Sequence, residues 1–424
     1  MMKEVYMENE AQGLSDAQLE EGIRSYLSGY HDLRKVLILP PDYTRCFSYA
    51  GVITQMIFKM LAPAGVTVHV MPALGTHGAM DEKEKKAFFA DVIPEENFLV
   101  HHWQTDTVKL GTVPASYISE ISGGLFGEEI DAELNHLLVD GGYDLILSVG
   151  QVVPHEVVGM SNYSKNIFVG VGGRSMINNS HMLGAVCGLE NVIGVTDSPP
   201  RLAYDYAQKH FLDGKVPVVY IQTVTTQNRH QVIVNGCYIG TTREPYERAA
   251  ILSQKLNIVH LPKRVKKVVC YLEPDEFKST WVGNKAIYRT CKMIDDGGEL
   301  LILAPNVRSF GENEEADRLI RKYGYRGRDY VLQLYREGAF AGMSMVAAHL
   351  IHGSSGGRYT ITYAVRPEYL SGEDIESVGY RYAEYENCAR RYSPENSREG
   401  WNRTEDGEEY YYIGKPATGL WQVD

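Results

Sequence analysis

The sequence lacks the features that mark several large classes of protein. Its six cysteines, at positions 46, 187, 237, 270, 291 and 388, form no CxxC pair, which argues against a disulfide framework and a zinc site. No apolar stretch approaches the ~18 residues that a membrane helix needs. The acidic amino terminus has neither the basic nor the apolar region of a signal peptide. We therefore expect reduced thiols, a cytoplasmic location and no membrane partner.

Basic charge and phosphate-binding loops are also scarce. The 424 residues include 42 Lys and Arg against 54 Asp and Glu, a formal net charge of −12, which argues against nucleic acid as a partner. An anionic substrate would then need a local cationic cluster, for which Arg45, Lys165 and Lys285 are candidates. Neither GxGxxG nor GxxxxGKS occurs, so an ordinary dinucleotide or ATP site is not supported.

Short apolar runs typical of strands alternate along most of the chain with segments whose apolar residues have the spacing of a helix. Buried strands are predicted at residues 35–40 (KVLILP), 66–71 (VTVHVM) and 143–150 (YDLILSVG), with amphipathic segments between them. This alternation is typical of α/β proteins with largely parallel sheets.

A boundary between two domains is predicted near residues 261–264, a short basic connection that contains proline. Strand and helix patterns restart after it. We therefore assign residues 1–262 to a first α/β domain and residues 263–390 to a second, smaller one. The remaining residues, 391–424, are too aromatic for a free linker, and we expect them to pack on the protein.

Residues 149–181 (VGQVVPHEVVGMSNYSKNIFVGVGGRSMINNSH) set polar side chains in an apolar, glycine-rich background. His155, Lys165 and His181 follow the end of a buried strand, where open α/β sheets bind their ligands. A histidine can carry a proton or ligate a metal, and a desolvated lysine can act as a nucleophile or attachment point. The residues alone leave equally open that both histidines are structural and that Lys165 is a solvated loop cation. The glycines near the end of this stretch would let the backbone approach a bound group closely.

Two further polar turns follow predicted strands. Asp42, Thr44 and Arg45 come after the first strand. An arginine there can fork onto a carboxylate, and an aspartate can accept hydrogen bonds from ribose hydroxyls or orient the arginine; a loop salt bridge is the alternative. His77 lies beside glycine after the second strand, where a lone histidine is structural more often than catalytic.

The central spacing resembles that of the lactate racemase family, whose members carry a nickel-pincer nucleotide. In that family a histidine is followed ten residues later by a lysine and sixteen after that by a second histidine. His155, Lys165 and His181 keep both intervals. The resemblance implies that His155 is a catalytic acid/base, that Lys165 is joined covalently to the cofactor, and that His181 is the protein's nickel ligand.

Motifs elsewhere in the chain extend the resemblance. Asp42, Thr44 and Arg45 keep the family's DxTR motif, which implies cofactor contacts for the first two and a substrate carboxylate contact for Arg45. His77 falls where the family places its other acid/base histidine. Lys285 falls where a helix-borne lysine contacts substrate from the second domain. The pair at 101–102 (HH) matches no family motif and is predicted to be structural.

The residues before Lys165 differ from those of the lactate racemases. Residues 161–164 read SNYS, where those enzymes have small residues, glycines and an arginine. The variant PHEVVGMSNYSKNIFVGVGG is closer to the branch described as sugar-acid epimerases that act on D-mannonate or D-gluconate. Gly78 stands where an arginine is frequent. Val282, with Trp281 adjacent, stands at about the position where lactate racemases have a glutamine.

The resemblance implies two α/β domains with the active site in the cleft between them and a tail, residues 391–424, that packs back on the first domain. It also implies a C2 epimerase of sugar acids such as D-gluconate and D-mannonate, working by hydride transfer through a 2-keto acid. The alternatives are a racemase of lactate or another short 2-hydroxy acid, and a non-catalytic homologue that binds the cofactor. The expected partners are a small hydroxy acid and the enzymes that synthesise the cofactor.

Overall fold

A computed structural model describes residues 3–228 and 231–423. The chain forms two compact units, one made of Met1–Ser180 with Gly194–Asn257 and the other of His181–Ile193 with Ile258–Asp424. The change of unit after Asn257 lies five residues before the predicted boundary. The short excursion at His181–Ile193 was not predicted.

Among residues 3–228 and 231–257, the first unit contains ten strands, with helices between them. The strands are β1 (Val5–Glu8), β2 (Lys35–Leu39), β3 (Thr67–Val70), β4 (Thr107–Val113), β5 (Ile130–Asn135), β6 (Leu145–Gln151), β7 (Pro154–His155), β8 (Gly159–Met160), β9 (Val218–Gln227) and β10 (Val232–Gly240). The helices up to the end of this unit are α1 (Asp16–Leu27), α2 (Ala50–Leu61), α3 (Glu82–Phe89), α4 (Ala115–Ile121), α5 (Leu137–Asp140), α6 (Arg174–Cys187), α7 (Leu189–Val192), α8 (Pro199–Ala207) and α9 (Glu244–Asn257). Of these, α7 and the end of α6 lie within the His181–Ile193 excursion.

The main sheet of the first unit has the strand order β1-β10-β9-β6-β2-β3. Strands β9, β6, β2 and β3 are parallel to one another. Strand β10 runs antiparallel to β9, and β1, antiparallel to β10, has the same direction as the other four. Strands β2 and β6 are continuously apolar because protein covers both of their faces. A largely parallel α/β sheet is therefore confirmed.

Helices cover both faces of this sheet. Leu19 and Ile23 of α1 and Ile53 of α2 pack with the strands in one buried cluster. On the opposite face Tyr246 of α9 stacks on Tyr163, with ring centroids 5.3 Å apart. This two-sided packing fixes where each strand ends, and so where the residues that follow it lie.

The second unit contains the remaining strands and helices. The strands are β11 (Ile258–Leu261), β12 (Val265–Tyr271), β13 (Ile294–Ala304), β14 (Thr360–Val365), β15 (Arg381–Glu384), β16 (Gly400–Arg403), β17 (Glu409–Ile413) and β18 (Leu420–Val423). The helices are α10 (Thr280–Gly283), α11 (Lys285–Thr290), α12 (Glu314–Tyr323), α13 (Arg328–Arg336), α14 (Ser344–His352), α15 (Gly372–Ser377) and α16 (Tyr385–Arg391).

The tail completes the sheet of this second unit, which corrects the expectation that residues 391–424 pack on the first domain. The sheet order is β15-β14-β13-β12-β17-β16, and β17 runs parallel to β12. Tyr410 and Tyr412 alternate with their neighbours along β17, so both enter one buried cluster with Tyr392. A buried strand edge at β12 needs a hydrogen-bonding partner, which the tail supplies. Residues 372–391, which lead into the tail, contain α15, β15 and α16.

The excursion at His181–Ile193 is bonded into the second unit. The Arg328 guanidinium donates to the carbonyl oxygen of Val186 at 2.7 Å, and the Lys292 ammonium donates to that of Ile193 at 3.2 Å. Arg358 forms an ion pair with Glu190. These bonds come from residues far along the chain, which explains why sequence patterns did not reveal the excursion.

Within the described ranges, we find no helix with the length and apolar content required to cross a membrane.

Candidate active site

Polar residues follow three adjacent parallel strands of the first unit. The order β6-β2-β3 places the carboxyl ends of these strands side by side at one edge of the sheet. Asp42 follows β2, His77 follows β3 and His155 follows β6. This is the edge at which open parallel sheets bind their ligands, so the three predicted motifs converge on one region.

Asp42 organises the turn after β2. Its carboxylate accepts a hydrogen bond from the backbone N–H of Thr44 at 3.0 Å and one from the Thr44 hydroxyl at 2.5 Å. The turn Tyr43–Ser48 is a 3-10 helix capped in this way, with Arg45 in a non-helical conformation inside it. Thr44 is therefore tied to Asp42 and is itself exposed.

The second oxygen of Asp42 pairs with His77. The distance from Asp42 Oδ2 to His77 Nδ1 is 2.5 Å, with the carboxylate buried and the imidazole 39% exposed. Burial alone would raise the pKa of Asp42, but the His77 ring, the Thr44 hydroxyl and the Arg45 guanidinium together lower it to about 2. Because Asp42 is ionised at neutral pH, Nδ1 of His77 is the donor, and Nε2 carries the lone pair of the neutral ring.

The lowered pKa of Asp42 predicts a change of stability in acid. In the folded protein this carboxyl stays ionised down to about pH 2, whereas the unfolded chain protonates it near its ordinary pKa of 3.8. The unfolded state then binds more protons, so the stabilisation, on the order of 2 kcal/mol, is present above pH 4 and falls as the pH drops. Urea unfolding from pH 6 to 3 should show a weaker pH dependence for Asp42→Asn than for the surface control Asp140→Asn. Equal slopes of unfolding free energy against pH for the two variants would contradict the pairing of Asp42 with His77.

His155 has the opposite arrangement of its ring nitrogens. It lies in β7, buried, and its Nδ1 accepts a hydrogen bond from the backbone N–H of Val157 at 3.1 Å. An accepting Nδ1 means that the neutral ring holds its proton on Nε2. The Glu156 carboxylate lies 3.8 Å from the same Nδ1. His77 is thus arranged to accept a proton at Nε2, and His155 to donate one.

Lys165 lies in a cationic and largely enclosed position. Burial and the Arg45 guanidinium lower the pKa of its ammonium group to about 8, while Glu156 and Asp42 act in the opposite direction. Arg201 adds to the lowering. An amine with this pKa is partly neutral near physiological pH, which is the form that acts as a nucleophile. Lys165, Arg45 and Asp42 therefore share one electrostatic environment.

The segment after Lys165 is bonded to the ends of neighbouring strands. Asn166 donates to the carbonyl oxygen of Leu39 at 3.1 Å and to the Ser148 hydroxyl at 2.8 Å. Gly75 N–H donates to the carbonyl oxygen of Gly170 at 2.8 Å, which links the loop after β3 to the same segment. These bonds hold the Lys165 segment against the two turns that carry Asp42 and His77.

The glycines of this segment are required by packing within the protein, which corrects their predicted role beside a bound group. A Cβ at Gly170 would lie 2.7 Å from the Cβ of Ala73, and one at Gly172 would lie 1.8 Å from the carbonyl oxygen of Phe168. His101 is structural, as predicted. It is buried and bonds the Gly172 carbonyl oxygen and the Asn135 amide, each at 3.0 Å.

Two predicted residues, His181 and Lys285, belong to the second unit. His181 lies on α6, the first residue of the excursion. Lys285 begins α11, with its ammonium nitrogen 3.8 Å from a carboxylate oxygen of Glu276 and 5.8 Å from the ring centre of Phe277. Trp281, one turn earlier, stacks on His349 with ring centroids 4.2 Å apart. A cation and an aromatic face thus lie on one short stretch of helix.

The sequence did not reveal two residues that support this site. Glu156 is adjacent to His155 but carried no motif, and only its position near both His155 and Lys165 gives it a role. Arg201, 36 residues after Lys165, is fully buried and bonds the turn before that lysine. A fully buried arginine must have partners, but its position in the sequence does not identify them.

The residues of the first unit fit a covalently attached cofactor. Lys165 offers an enclosed amine of lowered pKa for attachment, and Arg45 provides positive charge beside it. In the second unit, His181 offers an imidazole, a type of ligand that binds nickel. Over residues 3–228 and 231–423, no three His, Cys, Asp or Glu side chains form a group that could hold a metal ion by themselves.

The fold and this edge of the sheet define a two-unit α/β protein with a pair between buried Asp42 and His77, a second histidine that is buried, and an enclosed lysine of lowered pKa. Comparisons with known proteins agree with this class. Residues 16–191 match the family model of the lactate racemase N-terminal domain. A lactate racemase from Thermoanaerobacterium thermosaccharolyticum is 23% identical over 318 residues, which cover 70% of this chain and 68% of the relative.

Solved structures show the same fold over nearly the whole chain. A crystal structure of a protein from Thermotoga maritima matches with a TM-score of 0.85 and 22% identity, over 99% of this chain and 100% of that one. The lactate racemase apoprotein of Thermoanaerobacterium thermosaccharolyticum matches with a TM-score of 0.70 and 17% identity, over 97% and 94%. The family model matches residues 16–191. This range includes every predicted site residue except Lys285.

Proposed function

We propose that this protein is a 2-hydroxy-acid racemase or epimerase that works with a nickel-pincer nucleotide attached to Lys165. The observation that carries the proposal is the complementary arrangement of two histidines. His77 pairs with Asp42 through Nδ1, whereas His155 accepts a bond at Nδ1. One ring is therefore set to take a proton and the other to give one, which inversion of a secondary alcohol requires.

The reaction explains why these residue types are needed. The carbon beside a carboxylate in a 2-hydroxy acid is a poor carbon acid, so inversion through removal of a hydride is easier than through removal of a proton. When bound, the cofactor supplies the hydride acceptor and donor. Nε2 of His77 takes the hydroxyl proton, and Nε2 of His155 gives a proton to the carbonyl oxygen from the opposite face when the 2-keto acid is reduced. Arg45, with Lys285, binds the carboxylate.

For the substrate we favour a sugar acid interconverted at C2, such as D-gluconate and D-mannonate. Support comes from residues 161–164, which resemble those of the sugar-acid epimerase branch, and from Trp281, an aromatic residue four positions before Lys285 in the sequence. The main alternative is a racemase of lactate or another short 2-hydroxy acid, which the similarity to a lactate racemase favours. A homologue that binds the cofactor without turnover is a further alternative, against which the presence of both histidines argues.

The proposal is tested with protein co-expressed with the enzymes that synthesise the cofactor. Gluconate, mannonate and lactate, each deuterated at C2, are incubated with the protein and their stereochemistry and label are measured. Inversion of one substrate with the label retained is expected, since the hydride returns to the carbon it left. His77→Ala and His155→Ala should each abolish inversion, a loss of about 10²-fold or more, while the attached cofactor remains. Unchanged turnover in either variant removes that histidine from the mechanism.

A further inference from the structure

The turn before Lys165 has a backbone conformation that its residues disfavour. Asn162 and Tyr163 have φ angles of +65° and +54°, so two consecutive non-glycine residues lie in the left-handed region. Such conformations cost free energy and persist only where surrounding contacts hold them; they cluster at functional sites. Contacts from other parts of the chain must therefore hold the turn in this conformation.

Arg201 of α8 supplies most of the bonds that hold the turn. One terminal nitrogen, Nη2, donates to the carbonyl oxygens of Met160 and Asn162 at 2.7 and 3.0 Å. The other, Nη1, donates to the hydroxyl of Ser164 at 2.7 Å. Arg201 is fully buried, and it thereby bonds three of the five residues that precede Lys165.

The same guanidinium is held in place from its other side. The Ser164 hydroxyl donates to Asp205 Oδ1 at 2.6 Å, and this carboxylate lies 3.9 Å from Arg201 Nη1. The ring of Tyr246 lies 4.4 Å from the guanidinium carbon. Asp205 also lies 3.3 Å from the Arg243 guanidinium, which makes no bond to residues 160–164 among the described contacts. The charge of Arg201 is thus balanced without a bond to Lys165 itself.

We propose that Arg201 is a positioning residue for Lys165, fixing the left-handed turn so that the lysine amine stays in its enclosed position. The inference rests on the proposed function only in treating Lys165 as the attachment residue. The turn is also bonded to the end of β6, because the Asn162 amide donates to the carbonyl oxygen of Gly150 at 2.9 Å. Loss of the Arg201 bonds therefore frees the turn at one end only, and the fold of the sheet is retained.

The charged groups that act on Lys165 determine the direction of the expected change. Arg45 and Arg201 lower its pKa, as burial does, whereas Glu156 and Asp42 raise it. A turn that relaxes admits water to the amine, and the pKa rises towards the ordinary lysine value. Arg201→Lys keeps the positive charge but loses the planar guanidinium that donates to several acceptors at once. A change in the pKa of Lys165 in that variant therefore reports a change in the position of Lys165 rather than the loss of a charge.

The test measures the reactivity of Lys165 in the cofactor-free protein. The full chain is labelled competitively with acetic anhydride from pH 6 to 11, and the extent at each lysine is read by peptide mass spectrometry. Lys292, a partly buried lysine of the second unit whose pKa is also lowered, serves as the internal reference. For Arg201→Lys and Ser164→Ala we expect the midpoint at Lys165 to rise by about one pH unit, with Lys292 unchanged. Arg243→Lys, which also alters an Asp205 partner, should leave the midpoint at Lys165 where it is in the parent protein.

A purely structural role for Arg201 gives a different result. It would lower the melting temperature while the labelling profile of Lys165 stays in place, and that outcome overturns the proposal. Ser164→Ala removes one hydroxyl and keeps Arg201, so it decides the question even if Arg201 variants fail to fold. A parent protein that never acquires the cofactor would overturn the proposed function, whereas the labelling result on the cofactor-free protein would still decide the role of Arg201.

Discussion

Lys165→Arg, co-expressed with the enzymes that make the nickel-pincer nucleotide, is expected to carry no added mass, retain no nickel and lose all measurable inversion. An arginine keeps the positive charge and much of the volume of lysine, but its guanidinium stays protonated and cannot attack an acyl group. The lysine, by contrast, has its pKa lowered to about 8 by burial and by Arg45. Intact-mass spectrometry and metal analysis of the purified protein measure both losses.

Lys292→Arg is the matched control for this experiment. Lys292 is also partly buried with a lowered pKa, and it donates a hydrogen bond to the carbonyl oxygen of Ile193 in the second unit. The control protein should carry the same added mass and nickel as the parent. An adduct that persists in Lys165→Arg would place the attachment at another residue and remove Lys165 from the proposal.

Asp42→Asn is expected to lower the rate of inversion by about 10²-fold or more, with the attached cofactor retained. The carboxylate of Asp42 fixes the proton of His77 on Nδ1 and stabilises the imidazolium that forms when Nε2 takes the substrate proton. An asparagine can present its amide N–H to Nδ1 instead, which favours the tautomer with its proton on Nε2. In a plot of turnover against pH, the difference between Asp42→Asn and the parent protein should be largest in the pH range where the parent uses neutral His77 as a base.

The control for this change is Asp144→Asn in the same unit. Asp144 also carries a lowered pKa, because it accepts backbone hydrogen bonds from Arg34 and Lys35, but it lies before β6, at the opposite end of the strand from His155. Its replacement should change stability rather than turnover. Equal activity of Asp42→Asn and the parent protein would mean that the Asp42 pairing has no part in the reaction.

The sequence was sufficient to predict the class of fold and the position of the main motifs. The apolar runs of β2, β3 and β6 and the helices between them follow from local patterns, and three polar turns after those strands had to meet at one sheet edge. The tail was assigned to the wrong unit. The alternation of tyrosines in β17 indicates a buried strand, but not which sheet edge it joins.

Contacts between residues that lie far apart in the sequence could not be predicted from it. His77 was predicted to be an acid/base, yet its bond to Asp42, 35 residues away, decides which nitrogen carries the proton. Arg201 carried no motif, because its role depends on backbone carbonyls, and any sequence provides those. The strain at Asn162 and Tyr163 was equally hidden, since nothing in their identity requires a left-handed conformation.

The His181–Ile193 excursion bears on how proteins of this architecture can exchange parts. The second unit is assembled from two separate stretches of chain, so a single fusion or crossover cannot transfer the whole unit to another protein. A hybrid joined after Asn257 would set Arg328, Lys292 and Arg358 against an excursion inherited from a different parent. Successful hybrids are therefore expected to carry matched pieces from both halves of the gene, and the two halves are expected to change together during evolution.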